Sequence, residues 1–152
     1  MYMDDFDEIK LEVHDTKDIH DDHVNGSLTV IWRDWDEIIK NPPKMIYITS
    51  VNPDEIKGPH IHLKRHSYFA CIDGCVTFVI RKSNGDYFET TLDSEHPKLI
   101  HVPPNIASAH INMSEHPSKI LVLADIAWKP NDNEMENISF DDYDWNKWKK
   151  LS

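Results

Sequence analysis

Side chains that could transfer protons are concentrated between residues 58 and 74. His60 and His62 stand two residues apart, so on a β-strand both point to the same face. His66 and Tyr68 join that face if the strand continues without a break. A neutral imidazole, with an ordinary pKa of about 6.5, is a competent base near neutral pH. This face is therefore the candidate site for proton-transfer chemistry.

Short segments rich in β-branched and aromatic residues alternate with turn signals along most of the chain. They predict strands over residues 10–13, 26–32, 44–51, 75–80, 87–92, 98–102, 107–113 and 119–126. The turn signals Asp73-Gly74 and Asn84-Gly85 predict two consecutive hairpins. The last segment is apolar at both alternating positions, which predicts burial on both of its faces. Short strands at about ten-residue spacing, without βαβ alternation, predict one all-β domain over residues 1–152, a sandwich or jelly-roll barrel.

Two short segments are expected to be helical. Residues 35–40 can form one turn before the prolines of Asn41-Pro42-Pro43 end it. Residues 141–151 begin with acidic side chains and end with lysines, which suits the dipole of a short C-terminal helix. Trp145 and Trp148 are three residues apart and can dock together on the barrel.

The composition disfavours several classes of partner. The chain has 16 Lys and Arg against 27 Asp and Glu, a formal net charge of −11, which argues against non-specific binding to nucleic acid or to an anionic membrane. No apolar run approaches the roughly 20 residues of a membrane span, and the acidic start is unlike a signal peptide. We therefore expect a cytoplasmic protein.

Several other polar residues are expected to be solvated. The acidic stretch over residues 132–136 is most simply a surface loop. The remaining histidines are expected in exposed turns and loops: His14, His20, His23, His96, His101 and His116.

Further motifs surround the histidine pair. Gly74 follows twelve residues after His62, and four other segments complete the pattern: Asn25-Gly26-Ser27-Leu28, Lys57-Gly58-Pro59-His60, Val102-Pro103-Pro104-Asn105 and Phe140-Asp141-Asp142. Over residues 23–145 or so this pattern resembles the RmlC-like cupins, namely the dTDP-4-dehydrorhamnose 3,5-epimerase family and the related sugar-nucleotide 3,4-ketoisomerases. The resemblance implies an all-β cupin jelly-roll barrel and a nucleotide-diphosphate sugar substrate, with no cofactor or metal.

The resemblance also implies a catalytic set. His60 stands at the family's base position, where it would take a proton from the carbon next to a 4-keto group. His62 matches the second histidine of the ketoisomerase pattern. The family's tyrosine acid would fall at Leu121 or Val122, neither of which can donate a proton. His110 is then the best remaining candidate for an acid on the opposite face of the sugar.

Substrate binding is expected from six residues: Asn25, Lys57, Lys64, His66, Tyr68 and Ser108. Lys57, together with Arg65, can meet the diphosphate. Lys64 and His66 can donate to the enolate oxygen. Because Lys64 and Arg65 are adjacent, only one of them can enter the site.

Three hypotheses about function remain open. The first is an epimerase of a nucleotide-linked 4-keto-6-deoxysugar, favoured by Pro103-Pro104, the turn at Ser114 and the tail at residues 140–142, with a 3,4-ketoisomerase as its alternative. The second is a metal-binding cupin whose four-nitrogen set would be His60, His62, His66 and His110. The third is a sugar-binding or regulatory cupin without turnover.

A homodimer is expected for two reasons. Small jelly rolls have open sheet edges that invite strand pairing. The β-rich segment before the histidine motif also resembles the part that RmlC-like proteins exchange between subunits.

Overall fold

The structure is a computed structural model that describes residues 6–39 and 41–148. The regular secondary structure of its described part is β-strand, apart from one 3-10 turn near the end. The elements are β1 (Asp7–Lys10), β2 (Glu12–Lys17), β3 (Val24–Val30), β4 (Met45–Val51), β5 (Ile56–His62), β6 (Ser67–Asp73), β7 (Cys75–Arg81), β8 (Tyr87–Asp93), β9 (Lys98–Val102), β10 (Ala107–Ile111), β11 (Ser118–Ala124), β12 (Met135–Asn137) and the 3-10 turn (Trp145–Trp148). The predicted all-β class is confirmed.

Two five-stranded antiparallel sheets face each other as a jelly roll. The first sheet has the order β1-β9-β6-β11-β4, and the second has the order β12-β5-β10-β7-β8. β2 and β3 form a separate hairpin. No helix in the described ranges is long and apolar enough to cross a membrane.

One of the two predicted hairpins is wrong. β6 pairs with β9 and β11, whereas β7 pairs with β8 and β10. The turn at Gly74 therefore carries the chain from the first sheet to the second. Gly74 has a φ of 78°, and a Cβ there would lie 3.2 Å from the Pro117 carbonyl oxygen, so the crossing needs glycine. The hairpin formed by β7 and β8 is confirmed.

The core follows from strand alternation. The inward side chains of both sheets, among them Phe69, Phe78 and Ile120, form one cluster between the sheets. β11 contributes Val122 to this cluster and Leu123 to a second cluster on the outer face of the first sheet. The predicted burial of β11 on both faces is confirmed, because the N-terminal segment covers that outer face.

The C-terminal segment docks on the second sheet but is not the predicted helix. Trp145 and Trp148 pack on a cluster that includes Phe140, which confirms the predicted docking. The described part contains only the 3-10 turn, and residues 149–151 of the predicted helix lie outside the described range. The Asp144 side chain accepts a hydrogen bond from the backbone N–H of Asn146, at 3.1 Å. Such local bonds compete with helical ones.

The second predicted helical segment also differs. Residues 35–39 form turns and a bend, and Lys40 lies outside the described ranges. The side chain of Asp36 bonds back to the backbone N–H of Arg33, at 2.7 Å. This bond closes a local turn and competes with a helical start.

His110 is a titratable group built into the core. Its ring packs against Phe78, with centroids 4.2 Å apart, and against Phe69, at 5.1 Å. Burial, with smaller contributions from the positive charges of His60 and Lys57, lowers the pKa of His110 to about 3. The imidazole is therefore neutral at physiological pH.

We predict that His110 makes the fold sensitive to acid. The unfolded chain takes up this proton near pH 6.5, whereas the folded chain does so only near pH 3. Stability contributed by the neutral ring is thus present above pH 6.5 and is lost as the pH falls toward 3. One such proton steepens the loss by about 1.4 kcal/mol per pH unit. Urea unfolding measured at several pH values between about pH 6 and pH 4 gives the free energy of unfolding at each. That free energy should fall less steeply with decreasing pH for His110→Gln than for the parent.

The matched control is His20→Gln, in the exposed loop between β2 and β3. It tests whether any loss of a histidine produces the same effect. If the free energy of unfolding of His110→Gln depends on pH as steeply as that of the parent, His110 is not the group responsible for the acid sensitivity.

Candidate active site

A cavity of about 630 Å³ lies between the two sheets. We call the side chains of β5 and β10 that line it the histidine wall: Lys57, His60, His62, Ser108 and His110. We call the side chains from the first sheet the opposite wall: Met45, Tyr47, Thr49, Ser67, Phe69 and Val102. The segment over residues 128–135, which is exposed apart from Glu134, contributes most of the remaining lining. The cavity is therefore walled by both sheets and reaches the surface at that segment.

His60 is oriented by the neighbouring edge strand. Its Nδ1 lies 2.7 Å from the Oδ1 atom of Asn137, which is its register partner on β12. The amide oxygen is an acceptor, so the imidazole donates its Nδ1 proton. Nε2 is then the basic nitrogen.

His62 is held by a carboxylate. Its Nδ1 lies 2.6 Å from Glu134 Oε1. Glu134 Oε2 accepts the backbone N–H groups of Lys64 and Arg65, both at 3.0 Å. Burial raises the pKa of Glu134, but these hydrogen bonds and that from His62 outweigh it and hold the pKa below its usual range. The ionised carboxylate therefore fixes His62 with its proton on Nδ1.

The environment of His62 favours the neutral ring. Burial is the largest influence and lowers the pKa of His62; the bond to Glu134 raises it, and the charge of Arg65 lowers it again. The net shift is downward. His62 can therefore accept a proton at Nε2 near neutral pH.

The strand register places His110 beside the histidine pair. Ser108 is directly opposite His60 on the neighbouring strand, and His110 is opposite Lys57. Opposite residues of an antiparallel pair point to the same face. The expectation that His110 lies on the face opposite His60 is wrong. Its low pKa also leaves it without the imidazolium form that an acid needs.

Tyr47 places a phenol on the opposite wall. It lies on β4, directly beside Val122 on β11. The resemblance placed the family's tyrosine at Leu121 or Val122, so a neighbouring strand supplies the phenol at nearly the same place. Burial raises the pKa of Tyr47, although Arg65 opposes this. Along β4, Met45, Tyr47 and Thr49 are partly buried and the residues between them are exposed.

Arg65 and Lys57 are the cations of the cavity. Arg65 Nη1 donates to the Tyr47 hydroxyl at 3.4 Å. Lys57 Nζ donates to Thr49 Oγ1 at 2.6 Å and to the carbonyl oxygen of Ser50 at 3.1 Å. Arg65 is buried, whereas Lys57 is exposed. Of the adjacent pair Lys64 and Arg65, Arg65 is the one that lines the cavity.

Four predicted substrate-binding residues do not line the cavity. The strand stops at His62, and residues 63–66 turn before β6 begins. His66 and Tyr68 therefore face the outer side of the first sheet: His66 Nδ1 is 2.8 Å from His101 Nε2, and Tyr68 stacks on the His101 ring. The prediction that they share a face with the histidine pair is wrong.

Lys64 and Asn25 are also outside the cavity. Lys64 lies in the exposed turn, and Asn25 lies on the hairpin, where its Oδ1 accepts a bond from the Thr16 hydroxyl at 2.8 Å. Within one chain, neither can contact a ligand in the cavity. Lys57, His60, His62, Ser108 and His110 are the predicted residues that the structure brings together.

The hypothesised four-histidine metal set is not formed. His66 is separated from the other three by the first sheet, because it faces outward. In the described ranges, the group of three potential ligands within 4.8 Å of one another is Asp18, Asp21 and His23, on the exposed loop between β2 and β3. The cavity residues do not make such a group.

Two further residues were missed, and one histidine was misplaced. Glu134 is 8% exposed although the acidic stretch over residues 132–136 was expected to be solvated, and Asn137 follows it on β12. His101, expected in a loop, is buried on β9. No local pattern distinguishes Glu134 from its acidic neighbours, since its burial depends on β12 pairing with β5.

The fold is similar to that of solved sugar-nucleotide enzymes. A structure described as a dTDP sugar isomerase from Desulfovibrio desulfuricans G20 has a TM-score of 0.73 and 18% identity, covering 90% of this chain and 85% of that chain. A point mutant of the 3,4-ketoisomerase QdtA from Thermoanaerobacterium thermosaccharolyticum, in complex with TDP-4-keto-6-deoxyglucose, has a TM-score of 0.68 and 21% identity, covering 88% of each chain.

An epimerase has a similar fold. NovW, described as a 4-keto-6-deoxy sugar epimerase from the novobiocin biosynthetic gene cluster of Streptomyces spheroides, has a TM-score of 0.70 and 14% identity, covering 88% of this chain and 68% of that chain. At these identities the likenesses establish the fold, and they confirm the predicted cupin jelly roll.

Sequence comparison identifies the family. No curated protein matches the chain. The family model described as FdtA: WxcM-like, C-terminal matches residues 9–145. Because that match spans nearly the whole sequence, the chain belongs to the FdtA (WxcM-like, C-terminal) family.

Proposed function

We propose that the protein is a 3,4-ketoisomerase of a nucleoside-diphosphate-linked 4-keto-6-deoxysugar. The observation that carries this proposal is the pair His60 and His62, both on one wall of the cavity and both with Nδ1 bonded to an acceptor. Two basic Nε2 atoms therefore serve the same face of a bound sugar. The likeness to the ketoisomerase QdtA supports this choice of substrate class.

Ketoisomerisation needs proton transfers between neighbouring atoms. His60 Nε2 takes the proton from C3, and the C–H electrons form a C3–C4 double bond while negative charge collects on O4. The hydroxyl proton of O3 then moves to O4, and the His60 imidazolium gives up a proton to C4 as the carbonyl forms at C3. Atoms and electrons balance without an oxidant. His62, beside His60, is positioned to relay the proton between the two oxygens.

Tyr47 favours a second candidate, the epimerase. Inverting a carbon needs a base on one face of the sugar and an acid on the other. The phenol of Tyr47 lies on the opposite wall and burial keeps it protonated. An epimerase would pair His60 with Tyr47 rather than with His110.

The diphosphate is assigned to the Lys57 end of the cavity. The Lys57 ammonium lines the cavity yet is exposed, so a hydrated dianion can reach it without being buried. Its bonds to Thr49 and to the Ser50 carbonyl hold it in place. The sugar then lies toward His60 and His62.

A second copy of the chain is the proposed partner. In the described part of the chain, β4 pairs only with β11, so its other edge is open, and Ile46 and Ile48 are 60% and 58% exposed beside that edge. The hairpin of β2 and β3 pairs with neither main sheet and exposes Val13 and Leu28. Reciprocal packing of each hairpin on the partner's β4 would cover both surfaces with two-fold symmetry.

We predict the position of the carbonyl in the product. The protein is incubated in D₂O with a panel of dTDP-, UDP- and GDP-linked 4-keto-6-deoxysugars, and the product is examined by NMR. A 3,4-ketoisomerase gives a carbonyl at C3 and deuterium at C4. A carbonyl retained at C4 with an inverted C3 or C5 would contradict this and support the epimerase. No exchange with any member of the panel would contradict both reactions.

The role of the base is tested in the same assay. His60→Asn should lower deuterium exchange by about 10²–10⁴ if His60 is the general base. The matched control is His116→Asn, an exposed histidine outside the cavity, which should exchange at the parent rate. Exchange at the parent rate in a folded His60→Asn protein would exclude His60 as the base.

We predict a homodimer at micromolar concentration. Light scattering coupled to size exclusion should give twice the chain mass of 17.8 kDa. Ile48→Lys should shift the protein toward the monomer, because a charge at the covered edge is costly to bury. Ile56→Lys, on the second sheet, is the matched control and should stay dimeric. A monomeric parent would contradict the proposal.

A further inference from the structure

Two buried donors of the cavity have no hydrogen-bond acceptor in the described part of the chain. These atoms are Arg65 Nε and Ser67 Oγ. Arg65 is 6% exposed and Ser67 is 2% exposed, and both line the cavity. Buried polar groups without partners are costly, so a cavity lined by two of them indicates a place for acceptor atoms of a ligand.

Glu134 does not satisfy the guanidinium. Its Oε1 accepts the His62 ring, and its Oε2 accepts two backbone N–H groups. Arg65 Nε lies 3.7 Å from Oε1, which is an ion-pair distance rather than a hydrogen bond. The bond from Nη1 to Tyr47 is long, at 3.4 Å. Glu134 thus compensates the charge of Arg65 while leaving donors available to a ligand.

Ser67 adds a second donor to the same cavity. It opens β6 and points inward with Phe69, the next inward residue of that strand. Its hydroxyl sits on the opposite wall, facing the side from which His60 and His62 approach. One donor from the opposite wall and one from the turn between β5 and β6 therefore border the cavity that His60 and His62 also line.

We propose that Arg65 and Ser67 donate to the sugar keto oxygen and stabilise the negative charge that develops on it when the neighbouring carbon loses its proton. This inference rests on the proposed function and assigns the oxyanion site within it. Preorganised donors in a buried site are well suited to charge that appears only during the reaction. The Arg65 guanidinium supplies a full positive charge, and the Ser67 hydroxyl donates a second hydrogen bond to the same oxygen.

A diphosphate is a poorer fit for these donors. Arg65 is buried next to the ionised Glu134, which would repel a permanent dianion. The exposed Lys57 provides a cation at less desolvation cost. The enolate carries a single negative charge that develops only during the reaction. The bound ground state therefore does not incur the repulsion from Glu134 or the desolvation of a permanent anion.

The test uses Ser67→Ala in the full-length protein. Removing an unsatisfied buried hydroxyl should raise the melting temperature of the ligand-free protein by about 2–4 °C. The same change should lower deuterium exchange into a 4-keto-6-deoxysugar nucleotide by about 10²-fold. The affinity for dTDP, which lacks the sugar, should not change. A Ser67→Ala protein that is more stable but exchanges more slowly would indicate that the hydroxyl serves the oxyanion rather than the fold.

Arg65→Lys tests the second donor, with Arg33→Gln as the matched control. Lysine keeps the charge but loses the planar fork, so exchange should fall while dTDP affinity is retained. Arg33 pairs with Glu12 and Asp36 outside the cavity, and its loss should change neither. If Arg65→Lys does not fold, Ser67→Ala decides alone.

Two results would overturn the assignment. Parent-rate exchange in Ser67→Ala would show that this hydroxyl does not stabilise the oxyanion. A loss of dTDP affinity that accounts for the loss of rate would show that these residues bind phosphate instead. A parent protein that exchanges no sugar in the panel refutes the proposed function, and this inference falls with it. If the parent exchanges deuterium and the Ser67 and Arg65 variants exchange it at the same rate, only the oxyanion inference is refuted.

Discussion

The carboxylate of Glu134 is the constraint on which the candidate site depends. It accepts the His62 ring and two backbone N–H groups from the turn after β5, so it joins the end of that strand to the segment before β12. Its low pKa keeps it ionised. One acidic group thereby fixes the His62 tautomer, ends the strand and places Arg65 in the cavity. Removing it would leave a buried guanidinium without its counter-charge.

The two sheets have different tasks around this group. The second sheet presents basic nitrogens from β5, and the first sheet presents the Tyr47 phenol and the Ser67 hydroxyl. The Arg65 guanidinium reaches the cavity from the turn between β5 and β6. Clusters of apolar side chains shield the outer faces of both sheets from solvent. The cavity between them can therefore keep neutral histidines and unsatisfied donors, which would be unstable in a loosely packed region.

Sequence patterns predicted the strands well because alternation is a local property. They also identified His60 and His62, whose spacing needs only a short strand. The assignments that failed depend on contacts distant in sequence. The prediction that His66 and Tyr68 share the face of the histidine pair assumed an unbroken strand. The strand ends after His62, and the turn there is held by Glu134, a residue far along the chain. Tyr47 was missed because the cross-strand register with Val122 cannot be seen in a single strand.

His60 and His62 carry their proton on Nδ1 in this site and offer Nε2 to the substrate. Long-range ¹H–¹⁵N correlation NMR on the uniformly labelled protein measures this directly. At about pH 8 the side-chain nitrogen shifts of His60 and His62 should show a protonated Nδ1 and an unprotonated Nε2, and His62 should lose this pattern in Glu134→Gln. A protonated Nε2 on either ring of the parent protein would contradict the account.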